Sequence, residues 1–588
     1  MRIPRIFHRK ALGAVVAMLT FAPRIFSADP KPSASSEIVE LPTLNVTDDR
    51  ELPPPDKWRY TQIPGFEVIS NASDRNTTRL LRDFGIFQIA LDKAWPMEKR
   101  PMPPTAIILC GKEKTFDTFV TEGKTGPDRV LPSTLLTGKE QSFILIDLAL
   151  KTVTTSQLEA DGSSGQMQLQ YAVPGARSAE SGAAEAGLDA STDFEVDPYK
   201  QLYREYIRHL FAQDAAPPPI WLEEGVAQIV VKMKVTPKDI IFGELAETDT
   251  QGVGSIEDPD FPTALKRRTL LSFDEFFGVK RGDPQTLNTI GKNIWAKQCY
   301  AFVHLGLYGQ NYRYKPAFEK LVARAKKEPV TPALFQECFG KPYEKFLVEL
   351  SAYIQAPDYK HQQYIIKGKD RLTLPLPEMR DATEGESERI KGDALRVAGK
   401  PAAIRPSALA AYIRGDRDPQ FLATFGQAEL AGGDRERAGK LLAAAASKAT
   451  RPSVLLDLAQ VRYDAAIAKP AGAKRKFGED QSSGILRPLI TARTLYPSMP
   501  EVYRLIAQTW MQTEIPPKPE SLVVLSEGLK IFPRDEALVY YTAALNLRLG
   551  YHQAALALVT YGEKIATSDT QRGQFARLKA QIPPPDKS

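Results

Sequence analysis

The segment that most constrains this chain is residues 197–234, YREYIRHLFAQDAAPPPIWLEEGVAQIV with its flanks. Asp197-Pro198 is a helix start, an aspartate to cap the first amides and a proline whose fixed φ suits the first turn. Leu202, Tyr203, Tyr206, Ile207, Leu210 and Phe211 then recur at helical spacing and make one apolar face. Pro217-Pro218-Pro219 ends that run, and Trp221 begins a second apolar-rich stretch. The pattern predicts two successive helices, Pro198–Ala212 and residues 219–234, with Tyr203 and Tyr206 as packing residues.

Around this pair the chain divides by composition. Residues 1–10 are basic and residues 11–23 apolar, the layout of a secretory signal peptide ending near Ala28, although Phe26 stands where a small residue is preferred. This reading makes the protein an exported one, periplasmic or held in the cell envelope. The alternative is an uncleaved N-terminal anchor. No later segment is apolar over the ~18 residues that a membrane helix needs, so no transmembrane segment is expected in the mature chain. Residues 29–60 are rich in Pro, Ser and Asp and read as a linker. Short apolar strands are expected at 66–70, 106–110 and 143–148, with a helix from Ser73 or Asp74 to about Lys93. Residues 162–193 are poor in large apolar side chains, rich in Gly, Ser and Ala, and read as a mobile insertion. A short strand is expected at 239–245. Residues 360–405 are charged and weakly patterned, a second linker.

The net charge of +6 over 588 residues, with 25% charged and 43% hydrophobic, describes an ordinary soluble chain. No concentrated basic face is present, so nucleic acid is not the expected partner. Cys110, Cys299 and Cys338 are too few for a disulfide framework. They read as buried apolar groups, with a Cys299–Cys338 bridge as the alternative. His304 shares a helix with Cys299, five positions apart, and reads as core.

From residue 406 onward helices come in pairs. Phe421 to Pro452 places small residues at Ala423, Gly426 and Ala438, a polar turn at Gly432-Gly433-Asp434, and a closing proline. Tyr496-Pro497 and Phe532-Pro533 each precede a helix. Their spacing (533 − 497 = 36 residues) is near the ~34-residue period of tetratricopeptide repeats, which residues 406–583 resemble. Such arrays bind extended segments of a protein partner.

The helix pair resembles the gluzincin metallopeptidases, in particular the peptidase MA-like branch, which carries HExxH on one helix and a glutamate on the next in a W-x-x-E-G setting. ILIDLAL before the pair, and IIFGEL, LLSFDEFFGV and ECFGKPYEKFLVELSAYI after it, follow in that family's order. The resemblance spans about residues 64–355. It implies an α+β peptidase-like domain at 61–359, a small sheet plus helices, followed by an all-α repeat domain at 406–583. It also places Arg204-Glu205-Tyr206-Ile207-Arg208 on HExxH, Glu205 on the general-base position and Glu224 on the third-ligand position.

Both histidine positions are therefore arginine. Zinc takes thiolate, imidazole or carboxylate donors, whereas a guanidinium has no lone pair to give and stays protonated. No zinc and no cofactor are expected, and catalytic residues are not expected either. Of the five histidines only His209 lies near the motif. It shares a face with Glu205 at i, i+4, so a shifted Glu205–His209–Glu224 metal site is the minor alternative, with His209 otherwise a surface or boundary residue. The favoured expectation is that Arg204 and Arg208 point inward and pair with Glu224, with Glu205 also in reach. A competing one gives the two arginines a ligand's anionic group. Trp221, Glu223 and Gly225 would line the pocket. The chain is then an exported non-catalytic scaffold that binds a protein or peptide through residues 406–583. The alternative is a zinc-dependent or atypical metallopeptidase of the cell envelope.

Overall fold

The computed structural model describes residues 41–42, 52–94, 103–120, 132–154, 193–213, 217–236, 238–245, 260–265, 268–287, 293–357, 361–366, 372–468 and 476–583. The expected signal peptide (1–28), most of the first linker and residues 162–192 of the expected insertion lie outside them.

The architecture is α+β: a small mixed sheet, helices on both its faces and a helix-rich C-terminal region. β1 (Arg59–Ile63) and β2 (Phe66–Ser70) form a hairpin whose turn contains Gly65 at φ +86°, a conformation that costs a residue without Cβ nothing. β3 (Thr105–Cys110) lies parallel to β2, β5 (Ser142–Asp147) parallel to β3, and β4 (Ser133–Thr137) antiparallel to β5 at the edge. The two-residue strand Arg380–Asp381 closes the other edge against β1. Every residue of β3 and β5 is buried, as expected for parallel strands covered on both sides.

Alternation along these strands divides two cores. Ile107, Leu109, Ile144 and Ile146 pack with Leu80, Leu81, Phe84 and Phe87 of the Asp74–Ala94 helix, and with Leu202, Tyr206 and Ile207 of the Pro198–Ala212 helix. Ala106, Ile108, Cys110, Phe143 and Leu145 pack with Ile390, Ala394, Ala411, Tyr412, Phe421 and Phe425. The strands expected at 66–70, 106–110 and 143–148 and the first three helices thus fall within a few residues of their expected bounds. The strand expected at 239–245 is Asp239–Phe242.

Two linker readings need correction. The span 360–405 holds the strand Gln362–Ile365 and the helix Glu384–Val397, whose Ile390 and Ala394 sit in the second core. Its charged first turn hid it, although Thr383 and Glu386 form a capping box that marks a helix start. The span 29–60 likewise ends inside the fold, because Trp58 and Tyr60 are buried there.

Beyond it the helices pair: Pro419–Ala431 with Arg435–Ala445, Pro452–Ala468 with Glu479–Ala492, Pro500–Gln512 with Leu522–Ile531, and Glu536–Arg548 with His552–Ile565, closed by Asp569–Lys579. Two further cores follow along this series, one around Tyr503 and Ile506, the next around Val539 and Phe575. Cys299 and Cys338 carry separate thiols, so the Cys299–Cys338 bridge is not formed. Among the described residues no helix is long and apolar enough to cross a membrane.

Candidate functional site

Three elements position the site. Asp197 caps the Pro198–Ala212 helix, accepting from the Tyr199 amide at 2.9 Å and the Lys200 amide at 3.4 Å. That fixes the phase with which Arg204, Glu205 and Arg208 emerge. The second helix, Ile220–Val231, is buried along almost its whole length. It crosses the Ile294–Tyr312 helix so closely at Gly225 that a Cβ there would lie 2.4 Å from Val303 Cγ2 and 2.5 Å from the Cys299 carbonyl oxygen. Only glycine lets the two backbones meet, and this approach carries Glu224 inward. Edge strand β4 supplies Ser133.

Arg204 donates from Nη2 to Glu224 Oε1, with both side chains at most 4% exposed. Arg208 reaches Glu224 Oε2 from Nη2 and Glu205 Oε1 from Nη1, each at 3.4 Å, and its Nε lies 3.9 Å from Glu223 Oε1. The expected inward pairing of the two arginines with Glu224, Glu205 included, is therefore present. Ser133 Oγ donates to Glu205 Oε1 at 2.8 Å and contacts Gln201 Oε1 at 3.2 Å. Gln228 Nε2 donates to Glu224 Oε1 at 3.0 Å, while its Oε1 accepts from the buried Lys297 amine at 3.2 Å. Toward solvent, Arg281 forks onto Glu223 at 3.2 and 2.6 Å. The result is a chain of alternating charges from the half-exposed Arg281 down to the enclosed Arg204.

The electrostatics follow from this arrangement. Burial disfavours the charged carboxylate of Glu224, but Arg204 and Arg208, with the Gln228 hydrogen bond, outweigh it and hold its pKa below the usual value. Burial equally disfavours the Arg208 cation, and Glu205, Glu224 and Glu223 together overcome that and raise its pKa. Burial, with Glu224 nearby, pushes the Cys299 thiol well up, which makes it an inert packing group.

His209 corrects its surface or boundary reading: it is fully buried. Its Nε2 lies 3.3 Å from Thr105 Oγ1 and its ring meets Phe66 edge-on. Desolvation alone lowers its pKa to about 4. The imidazole faces β3 and not the carboxylates. Among the described residues no group of three or more His, Cys, Asp or Glu side chains is placed to hold a metal, the Glu205–His209–Glu224 set included.

Trp221 and Gly225 do not line a pocket as expected. Trp221 is buried among Phe276, Phe277, Phe302 and Phe318, and Gly225 is a helix crossing. Glu223 does belong to the charge chain. Tyr203 stacks on Phe87 with ring centroids 3.8 Å apart, and Tyr206 meets Phe84 edge-on, both as packing groups. His304 is a satisfied core histidine, bonded to the Tyr353 hydroxyl at 2.7 Å and the Gly243 carbonyl at 2.9 Å.

The participants that sequence reasoning missed divide in two. Gln201 and Gln228 sit four residues from Glu205 and Glu224, a spacing that places them on the same helix faces. Ser133, Arg281 and Lys297 come from other elements, and nothing local marks them.

Chemically the cluster is closed. Glu205 is fully enclosed, and among the described residues the Ser133 hydroxyl meets Gln201 and Glu205 and no imidazole. The donors facing inward are carboxylates already held by guanidinium groups, and this set does not fit zinc. Comparison with protein-family models, with curated proteins and with solved structures gave no match.

Proposed function

We propose that this protein is an exported, non-catalytic relative of the gluzincin peptidases that serves as a binding scaffold, presenting tetratricopeptide-like helical hairpins over residues 406–583 to a protein or peptide partner. The observation that carries the reading is the double guanidinium grip on Glu224. Arg204 and Arg208 occupy the positions where a peptidase of this kind holds zinc by imidazole, and they neutralise the carboxylates that the metal would have neutralised. Without zinc no water acquires a lowered pKa, so Glu205 has nothing to activate. Support for the repeat reading comes from the run of helix pairs, each sharing a core with the next, because such pairs cannot bury their apolar faces alone. Export rests on the N-terminal sequence.

The test is metal binding by the intact protein and by one designed variant. Wild-type protein dialysed against zinc should retain none at this site and show no chelator-sensitive casein hydrolysis. The double substitution Arg204→His/Arg208→His puts two imidazoles at i, i+4 beside Glu224 and should take up one zinc per chain. Stoichiometric zinc with hydrolysis in the wild type would overturn the non-catalytic reading. A double variant that folds but takes up no zinc would overturn the descent from a metal site. Cross-linking to a partner should map to residues 406–583.

A further inference from the structure

The sheet and the helical array meet through a buried polar junction that the site above does not involve. The turn between β4 and β5 carries Glu140 and Gln141. Glu140, 7% exposed, accepts the Ser453 amide at 2.7 Å and the Ser453 hydroxyl at 2.5 Å, so a carboxylate more than 300 residues away in sequence caps the Pro452–Ala468 helix. Gln141 bonds Asp393 Oδ2 at 3.2 Å and accepts from Arg396 at 3.1 Å and Arg451 at 3.2 Å. Arg451 also donates to Asp393 Oδ1 at 2.7 Å, and Thr424 donates to the same oxygen at 2.9 Å. One turn into the capped helix, Asp457 accepts from Gln427 at 2.7 Å.

Four elements thus converge: the β4–β5 turn, the Glu384–Val397 helix, the Pro419–Ala431 helix and the start of Pro452–Ala468. Three acids, Glu140, Asp393 and Asp457, face two bases, Arg396 and Arg451. Asp393 is committed to Arg451 and Thr424. Arg396 Nη2 lies 4.0 Å from Glu140 Oε2, which leaves the excess negative charge on Asp457, one turn into the helix that Glu140 caps.

We propose that this junction is an acid-strengthened clamp: a proton taken up by Asp457 removes its repulsion with Glu140, leaves the Glu140 carboxylate alone on the helix N-terminus, and fastens the helical array more firmly to the sheet. Burial, with Glu140 beside it, raises the pKa of Asp457 against the opposing pull of Gln427, Arg396 and Arg451. A raised carboxyl pKa in the folded state means that the ionised form costs stability. That cost is relieved as pH falls toward the raised value, above the ordinary aspartate range.

The experiment is amide hydrogen exchange on the full chain, corrected for intrinsic rates, at about pH 7.5 and at about pH 4, near the ordinary aspartate value. Wild-type protection at residues 453–458 should rise severalfold at the lower pH, a change of up to ~10-fold per unit of pKa shift. Asp457→Asn is nearly isosteric and keeps an acceptor for Gln427. It should show high protection at both pH values. Glu140→Gln weakens the cap and should show low protection at both. Flat wild-type protection would overturn the proposal, and so would an Asp457→Asn variant that keeps the wild-type pH response.

Discussion

At the residue scale, the cluster around Glu224 behaves as interlocked charges in which the loss of one member strands another. Arg204 is enclosed, and its removal leaves a buried carboxylate with a weaker partner. Arg204→Ala should cost about 3–5 kcal/mol in denaturant unfolding, the range for breaking one side of a buried pair. Arg208 makes longer contacts and is 12% exposed, so Arg208→Ala should cost less, about 1–3 kcal/mol. Equal losses would mean that the 3.4 Å contacts matter as much as the short one. His209 adds a pH dependence. Its folded-state pKa of about 4 lies below the ordinary histidine value of 6.5, so the folded state resists taking a proton that the unfolded chain accepts. Stability is then fully present above the unfolded value and lost as pH falls through that window, by up to ~3 kcal/mol. His209→Asn should flatten this part of the pH profile in thermal melts, and an unchanged profile would show that another group carries it.

At the element scale, helix crossings decide which small residues matter. Gly225 meets a backbone oxygen and a β-branched side chain at distances no Cβ can occupy. Gly225→Ala should cost about 1–3 kcal/mol or more, because neither neighbour can turn away. Gly484 lies inside the Glu479–Ala492 helix with open space around its Cβ position, so Gly484→Ala should stabilise by about 0.5–1 kcal/mol. Opposite signs from the same chemical change, read by denaturant midpoints, would check the contrast between the crowded crossing and the open position. The Glu384–Val397 helix teaches a related lesson. Its exposed face is charged enough to resemble a linker, yet one capping box and a few inward residues suffice to make it a wall of the core.

At the scale of the whole molecule, the sheet depends on both of its coverings. A chain ending at residue 405 would uncover Ile108, Phe143 and Leu145 of the second core, which lose Tyr412, Phe421 and Phe425. It should associate and bind a hydrophobic dye in size-exclusion and fluorescence measurements. A chain ending at residue 565 removes only the closing helix, which buries Phe575 and Leu578. It should remain monodisperse with a modest loss of stability. A soluble, dye-silent 1–405 fragment would show that the sheet stands without the array.

The sequence by itself determined the local structure wherever one element's own residues decide it: the Asp197-Pro198 helix start, the largely apolar β3 and β5, the paired helices after residue 406 and the inward turn of Arg204 and Arg208. Periodicity, caps and proline act within a few residues, and a guanidinium opposite a buried glutamate has one favourable place to go. Only the tertiary structure decided the rest. Whether His209 meets solvent or β3, whether Trp221 lines a pocket or fills a core, and which of Ser133, Arg281 and Lys297 complete the charge chain depend on elements far apart in sequence. So does the use of Glu140 as the cap of a helix that begins at Pro452. Burial and ion pairing are properties of neighbours, and distant neighbours are supplied by the fold.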